Sequence, residues 1–196
     1  MPVNIIQTLA THRKTSRKFK PDKPPISDIL YALDTARQAP SGSNLQPTVY
    51  ILIDDPSIKA KVRGASEEGE KRFYENLSED RKRWYTEKGL SWRKPNLEEA
   101  PFLVVVVADS SKANYFASAW VAVAYMMLAL EEKGLSTVTY TPSNPTLVAN
   151  ALTLPKGQQV ITILPIGYDA DSKLKEPRKP LSEIIKHNRF DTPLTL

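Results

Sequence analysis

At 196 residues, 41% of them hydrophobic, the chain is long enough for one sizeable core and short for two, so a single domain over residues 1–196 is expected. It has no cysteine and only two histidines, His12 and His187, far apart in sequence; disulfides, thiolate metal sites and cysteine nucleophiles are excluded, and no metal is expected. The formal charge of +5 invites a nucleic acid, but most cations are interleaved with acids, as in "EDRKRWYTEK" (79–88), the pattern of a solvated helix face, so no nucleic-acid partner is expected.

The N-terminal residues, with Asn4, Gln7, His12, Arg13 and Lys14, lack the apolar core of a signal peptide, which points to a cytoplasmic protein. A helix pattern over about 3–11 runs into "HRKTSRKFK" (12–20), where five cations stand with one aromatic and no acid. Two readings of this cluster are open. It is a basic surface at a helix C-terminus, or it is an anion site in which Arg13, Lys14, Thr15 and Arg17 hold a phosphate by forked and point-charge contacts. A dinucleotide turn or a P-loop is excluded, because the seven glycines form neither motif, and no G-x-S-x-G elbow exists.

A second helix pattern, 26–38, ends in "APSGSNLQP" (39–47), whose turn-forming residues suit a helix-to-strand connection into a strand at 48–53. Residues 56–88 read as interrupted helix, rich in charge and aromatics. Strands are expected at 102–108, 135–140 and 159–166, and helices at 113–133 and 144–152. The alternation indicates a mixed α/β sandwich, with residues of about 64–98 as an excursion from the core. Phe116 to Leu130 carries no charge and is too short for a confident membrane span, so it is expected as the central buried helix, shared across a dimer interface, and no membrane partner is expected.

Four stretches, "HRKTSRKF", "APSGSNLQP", "KGLSTVTYTP" and "LPIGYDADSKLKEPRKPLSEII", occur in the order seen in the nitroreductase superfamily of FMN flavoproteins, and the resemblance spans nearly the whole chain. It implies a mixed central sheet wrapped by helices, an interlocked homodimer with active sites at its interface, and FMN as cofactor. By the same resemblance Arg13, Lys14, Thr15, Arg17 and Arg178 are FMN-binding, Thr139 and Thr141 meet the flavin, and Pro40, Ser41, Gly42 and Asn44 border the flavin of the other subunit. The chain departs from the pattern at Thr48, where relatives often have an aromatic, and at Glu176, where they often have Lys.

Within that superfamily, residues 67–109 resemble the lid of iodotyrosine deiodinases, which read the zwitterion of a halotyrosine with a Glu, a Tyr four residues on and a Lys further along; here these are Glu70, Tyr74 and Lys94. Glu70 and Tyr74, at i,i+4, share a helix face. The carboxylate suits a substrate ammonium, the Lys94 ammonium a substrate carboxylate, and backbone N–H groups near Gly42 and Ser43 a phenolate. Thr141, before Pro142, matches the threonine that donates to flavin N5 and favours one-electron steps. The expectation is an FMN-dependent oxidoreductase that dehalogenates halotyrosines reductively, taking electrons from reduced nicotinamide or another donor. The alternatives are a broad NAD(P)H-dependent nitroreductase or quinone/flavin reductase, which would use the excursion as a plain lid, and a non-catalytic flavin-storage protein.

Overall fold

The computed structural model describes residues 4–193. Its centre is set by two unbroken apolar runs. Strand β2 (Phe102–Asp109) is buried at every position through Ala108, and β4 (Gln158–Gly167) is buried from Val160 onward. Runs apolar on both faces need a layer on each side. The strands pair antiparallel in the order β1-β2-β4-β3, with β1 (Thr48–Ile53) on one edge and the two-residue β3 (Ser136–Thr137) on the other.

Alternation along β2 sorts the two layers. Phe102, Val104, Val106 and Ala108 face α2 (Ile26–Arg37) and α6 (Tyr115–Glu132), meeting Ile29, Ala32, Val123 and Met126. Leu103, Val105 and Val107 point the other way, to Val62 of α3 (Pro56–Glu75), Leu97 of α5 (Asn96–Glu99) and Val148 of α7 (Pro145–Ala151). The result is a helix–sheet–helix sandwich, as the element pattern predicted. A register shift between Val106 and Val107, which pair with Thr162 and Val160, leaves Ile161 of β4 as an extra residue, a β-bulge. The parallel contribution comes from an isolated bridge, Thr15 to Thr137, made by the chain that leaves α1 (Ile5–His12).

Local chemistry explains the boundaries. Asp55 caps α3 by accepting from the Ser57 and Ile58 N–H groups at 2.7 and 3.2 Å, and Pro56 supplies the fixed φ of the first turn. Ser78 caps α4 (Glu79–Glu87) at Arg81 N, and Gly89, at φ 65°, ends the turn beyond it. The expected 56–88 helix is therefore two, interrupted at 76–78.

Two expectations need correction, and two short helices had none. The strand expected over 135–140 pairs only at 136–137 and again at Tyr140, which bridges Ile163; Val138 and Thr139 leave the ladder to line a cleft. The short α5 and α8 (Leu181–Ile184) have too few residues for a periodic signal. Finally, α6 is not buried all round. Ser118, Ala119, Ala122, Val123 and Met126 are buried, whereas Phe116, Val121 and Tyr125 are 54%, 38% and 40% exposed. No helix among the described residues is long and apolar enough to cross a membrane.

Candidate active site

The chain after α1 is extended, so its side chains alternate. Ser16 points into the core at 0% exposure, and its neighbours Thr15 and Arg17 point out. The Arg17 N–H donates to Asp171 Oδ2 at 3.0 Å, holding this segment against the C-terminal chain. Arg17 thereby stands at the junction of two hollows. The smaller, about 730 Å³, is lined by Thr15, Arg17, Lys173, Lys175 and Arg178. The same hollow is lined by Lys88 and by the carboxylates of Glu87 and Glu176, and its hydroxyl, guanidiniums and ammoniums are the kinds of donor a phosphate takes. The larger, about 1070 Å³, is lined by Arg17, Glu70, Tyr74, Lys94, Thr139 and Thr141, among others.

The larger cleft is built by three elements. The last turns of α3 supply Glu70 and Tyr74 one above the other. The loop after α4 supplies Lys94, whose Nζ lies 3.2 Å from Glu70 Oε2, and the edge of the sheet supplies Thr139 to Ser143. Both members of the ion pair are largely enclosed, Lys94 at 16% and Glu70 at 8% side-chain exposure. Lys94 Nζ also stands 5.6 Å from the ring centroids of Tyr74 and Tyr140, within cation–π range. Burial lowers the Lys94 ammonium below its ordinary value, against the attraction of Glu70. Burial, then the nearby Glu70 carboxylate, pushes the Tyr74 phenol up to about 12, so it remains a donor at neutral pH.

Several residues that shape this cleft carry no sequence signal of their own. Glu67 Oε1 accepts the Lys94 N–H at 2.7 Å and the Arg63 Nε–H at 2.8 Å, and so places the lysine's backbone. Its position one turn before Glu70 on the same face is the only hint the sequence offered. Phe73, Tyr74, Tyr85 and Trp84 form a chain of tilted and edge-to-face contacts, 5.1–6.2 Å between centroids, that ties α4 to the end of α3.

Of the sequence-predicted residues, the fold brings together Glu70, Tyr74, Lys94, Thr139, Thr141 and Arg17, with Thr15 and Arg178 in the adjoining hollow. The other predicted cations stand apart. Lys14 pairs with Asp169 at 2.9 Å and donates to the Asp171 and Lys173 carbonyls; Arg13 donates weakly to the Lys14 carbonyl at 3.5 Å. Pro40, Ser41, Gly42, Ser43 and Asn44 line neither hollow. They form a tight turn against the start of α6, where the Gly42 N–H donates to Ser118 Oγ at 3.3 Å. A Cβ on Gly42 would come within 3.0 Å of Asn114, and Ser43, Asn44 and Gln46 all have positive φ, a strained backbone for residues other than glycine.

The model of the nitroreductase family matches residues 10–168. The chain is 42% identical over 188 residues to iodotyrosine deiodinase of Thermotoga neapolitana, covering 96% of this chain and 100% of that protein. It is 32% identical over 176 residues to iodotyrosine deiodinase of Haliscomenobacter hydrossis, covering 83% and 78%. Among solved structures, an oxidised iodotyrosine deiodinase bound to FMN and 3-iodo-L-tyrosine superposes with a TM-score of 0.88 at 43% identity, over 94% of this chain and 100% of that one. A BluB-like flavoprotein of Clostridium difficile shares the fold, with a TM-score of 0.77 at 21% identity.

Proposed function

Because the chain belongs to the nitroreductase family, we propose that it is an FMN-dependent oxidoreductase that removes halogen reductively from halotyrosines. The observation that carries this reading is the enclosed constellation of Glu70, Tyr74 and Lys94 in one cleft with Thr139 and Thr141, beside a cationic hollow suited to phosphate. In the reaction the carbon–halogen bond breaks, halide leaves with the bonding pair, and two electrons and a proton restore the aromatic C–H. Bound FMN supplies the electrons, which it receives from a reduced nicotinamide or another donor.

The residues of the chain do the rest. Thr15, Arg17 and Arg178 hold the cofactor phosphate, and Arg13 and Lys14 shape the segments around it. Thr139 and Thr141 face the flavin, with the Thr141 hydroxyl as donor to the ring. Glu70 and the Tyr74 phenol receive the substrate ammonium, and Lys94 the carboxylate. Closure of α4 and its aromatic chain over the cleft excludes water, which strengthens these charge pairs.

The active unit is a homodimer. Besides the exposed stripe of α6, the elements that pack against it expose Ile26, Leu30 and Tyr31 of α2, Ile5 and Ile6 of α1, and Val49 of β1, all at least 38% exposed, and apolar exposure on neighbouring elements is what a protein interface covers. The 40–44 turn packs on the start of the same helix, and across such an interface Pro40, Ser41, Gly42 and Asn44 border the partner's flavin, with Gly42 and Ser43 toward its substrate.

Titration of the oxidised, FMN-loaded protein with 3-iodo-L-tyrosine and with 2-iodophenol, followed by flavin fluorescence, tests the reading. The amino acid is expected to bind far more tightly. Glu70→Ala and Lys94→Ala are each expected to cost about 2–4 kcal/mol of iodotyrosine binding, the scale for leaving one member of an enclosed charge pair alone. Equal affinity for the two ligands would return the cleft to a general reductase of nitroaromatics or quinones.

A further inference from the structure

Glu70 lines the cleft together with two other acids, Glu99 and Asp171, and its two oxygens are unequal. Oε1 accepts three hydrogen bonds, from Tyr140 Oη at 3.1 Å, from Ser143 Oγ at 2.5 Å and from the Ser143 N–H at 3.1 Å. Oε2 accepts none of these and faces Lys94 Nζ at 3.2 Å. A carboxylate on a flexible side chain would ordinarily sample several rotamers and present either oxygen. Here three donors on one oxygen leave a single orientation.

The three donors come from a segment that is itself rigid. Tyr140 exchanges both backbone hydrogen bonds with Ile163 of β4, at 2.9 and 2.8 Å, and its carbonyl accepts the Thr162 hydroxyl at 3.0 Å. Burial raises the Tyr140 phenol above its ordinary value, so its proton stays in place to donate. Ser143 immediately precedes Asn144, the cap of α7, whose side chain accepts from the Thr146 N–H at 3.2 Å. The turn reaches Glu70 only because α3 carries Gly69 at the crossing. A Cβ there would stand 3.0 Å from Asn144 Cβ and 3.3 Å from its N, so any larger residue would push the turn away from the carboxylate.

We infer that Tyr140 and Ser143 are positioning residues for substrate recognition: by saturating Glu70 Oε1 they present Oε2 alone to the cleft, in the direction from which a ligand's ammonium arrives. Lys94 Nζ lies in that direction, and a zwitterion is received with its ammonium on Glu70 and its carboxylate on Lys94. Neither Tyr140 nor Ser143 need touch the ligand. The same short segment carries Thr141 between them, so the carboxylate that reads the ammonium and the hydroxyl proposed to meet the flavin are held by one piece of backbone. The inference rests on the zwitterion-reading function proposed above.

The test uses FMN-loaded Tyr140→Phe, Ser143→Ala and Ser143→Thr proteins and the ratio of dissociation constants for 2-iodophenol and 3-iodo-L-tyrosine. Tyr140→Phe and Ser143→Ala are each expected to lower that ratio by about tenfold or more, the effect of losing a hydrogen bond to a charged group, through weaker iodotyrosine binding alone. Ser143→Thr, which keeps the hydroxyl, is expected to retain the wild-type ratio. The two loss variants act on one oxygen from separate positions, so either carries the test if the other folds poorly. If wild type prefers iodotyrosine and both loss variants keep its ratio, or lose the two ligands equally, the positioning role is overturned and the zwitterion reading stands. If wild type itself shows no preference, both fall together.

Discussion

Lys14 and Arg17 stand three residues apart in one basic cluster and do different work. The Arg17 side chain opens onto both hollows, whereas the Lys14 ammonium is spent on Asp169 and two carbonyls of the C-terminal segment. Burial alone would raise the Asp169 carboxyl, but the hydrogen bond from Lys14 and the Asp171 N–H hold it below its ordinary 3.8. A carboxyl with a lowered folded-state pKa contributes stability above its unfolded value and loses it as pH falls through the folded one. Lys14→Met is therefore expected to destabilise the protein at pH 7 by about 1.5–3 kcal/mol, the range for hydrogen bonds to charged groups. The gap to wild type should narrow as pH falls below 3.8, measured by urea unfolding at matched pH. A gap that is constant with pH would mean that the Lys14 contribution comes from packing and its carbonyl hydrogen bonds and not from its pairing with Asp169. The cation cluster was legible in the sequence, as a basic surface or as an anion site; which of its cations is tied up within the chain depended on Asp169, 155 residues away from Lys14 and invisible to local reading.

Among the elements, α3 and α4 show how far periodicity carries. Charge and aromatic content marked 56–88 as helical, and the Ser78 cap with Glu79 and Asp80 in the first turn locates the restart. None of the α4 residues is buried, so the helix depends on its cap, on the Lys82–Glu79 pair and on edge contacts of Trp84 and Tyr85. Ser78→Ala is expected to cost about 1 kcal/mol of α4's local stability. That loss should appear as roughly fivefold faster amide exchange over 79–88, with β2 unchanged, because local opening draws on few buried contacts. Equal acceleration in both elements would mean that α4 unfolds only with the core. The strand expected over 135–140 failed for the opposite reason. Its residues favour extended backbone, but the cleft takes Val138 and Thr139 out of the ladder, a tertiary demand that outranks propensity.

For the whole molecule, the uncharged run of α6 was expected to be buried, and half of that expectation describes one chain. The inner face packs on the sheet; the outer stripe, with Phe116, Val121 and Tyr125, is exposed, and the helices α2 and α1 that pack against α6 carry exposed apolar residues of their own. Sizing at micromolar concentration is expected to show a dimer, and Val121→Asp to shift it toward monomer with loss of bound FMN, since the 40–44 turn would then lack a partner's cleft to complete. A fully flavin-loaded, active monomer would remove that turn from the site. The sequence by itself determined the mixed α/β sandwich, the cationic segment, and the i,i+4 alignment of Glu70 with Tyr74, because each is written in local periodicity or spacing. The direct ion pair of Lys94 with Glu70, the capture of Lys14 by Asp169 and the saturation of one Glu70 oxygen by Tyr140 and Ser143 were decided only in the tertiary structure. These contacts join residues 24 to 155 positions apart, and no local pattern specifies which distant partner the packed core will bring within hydrogen-bond reach.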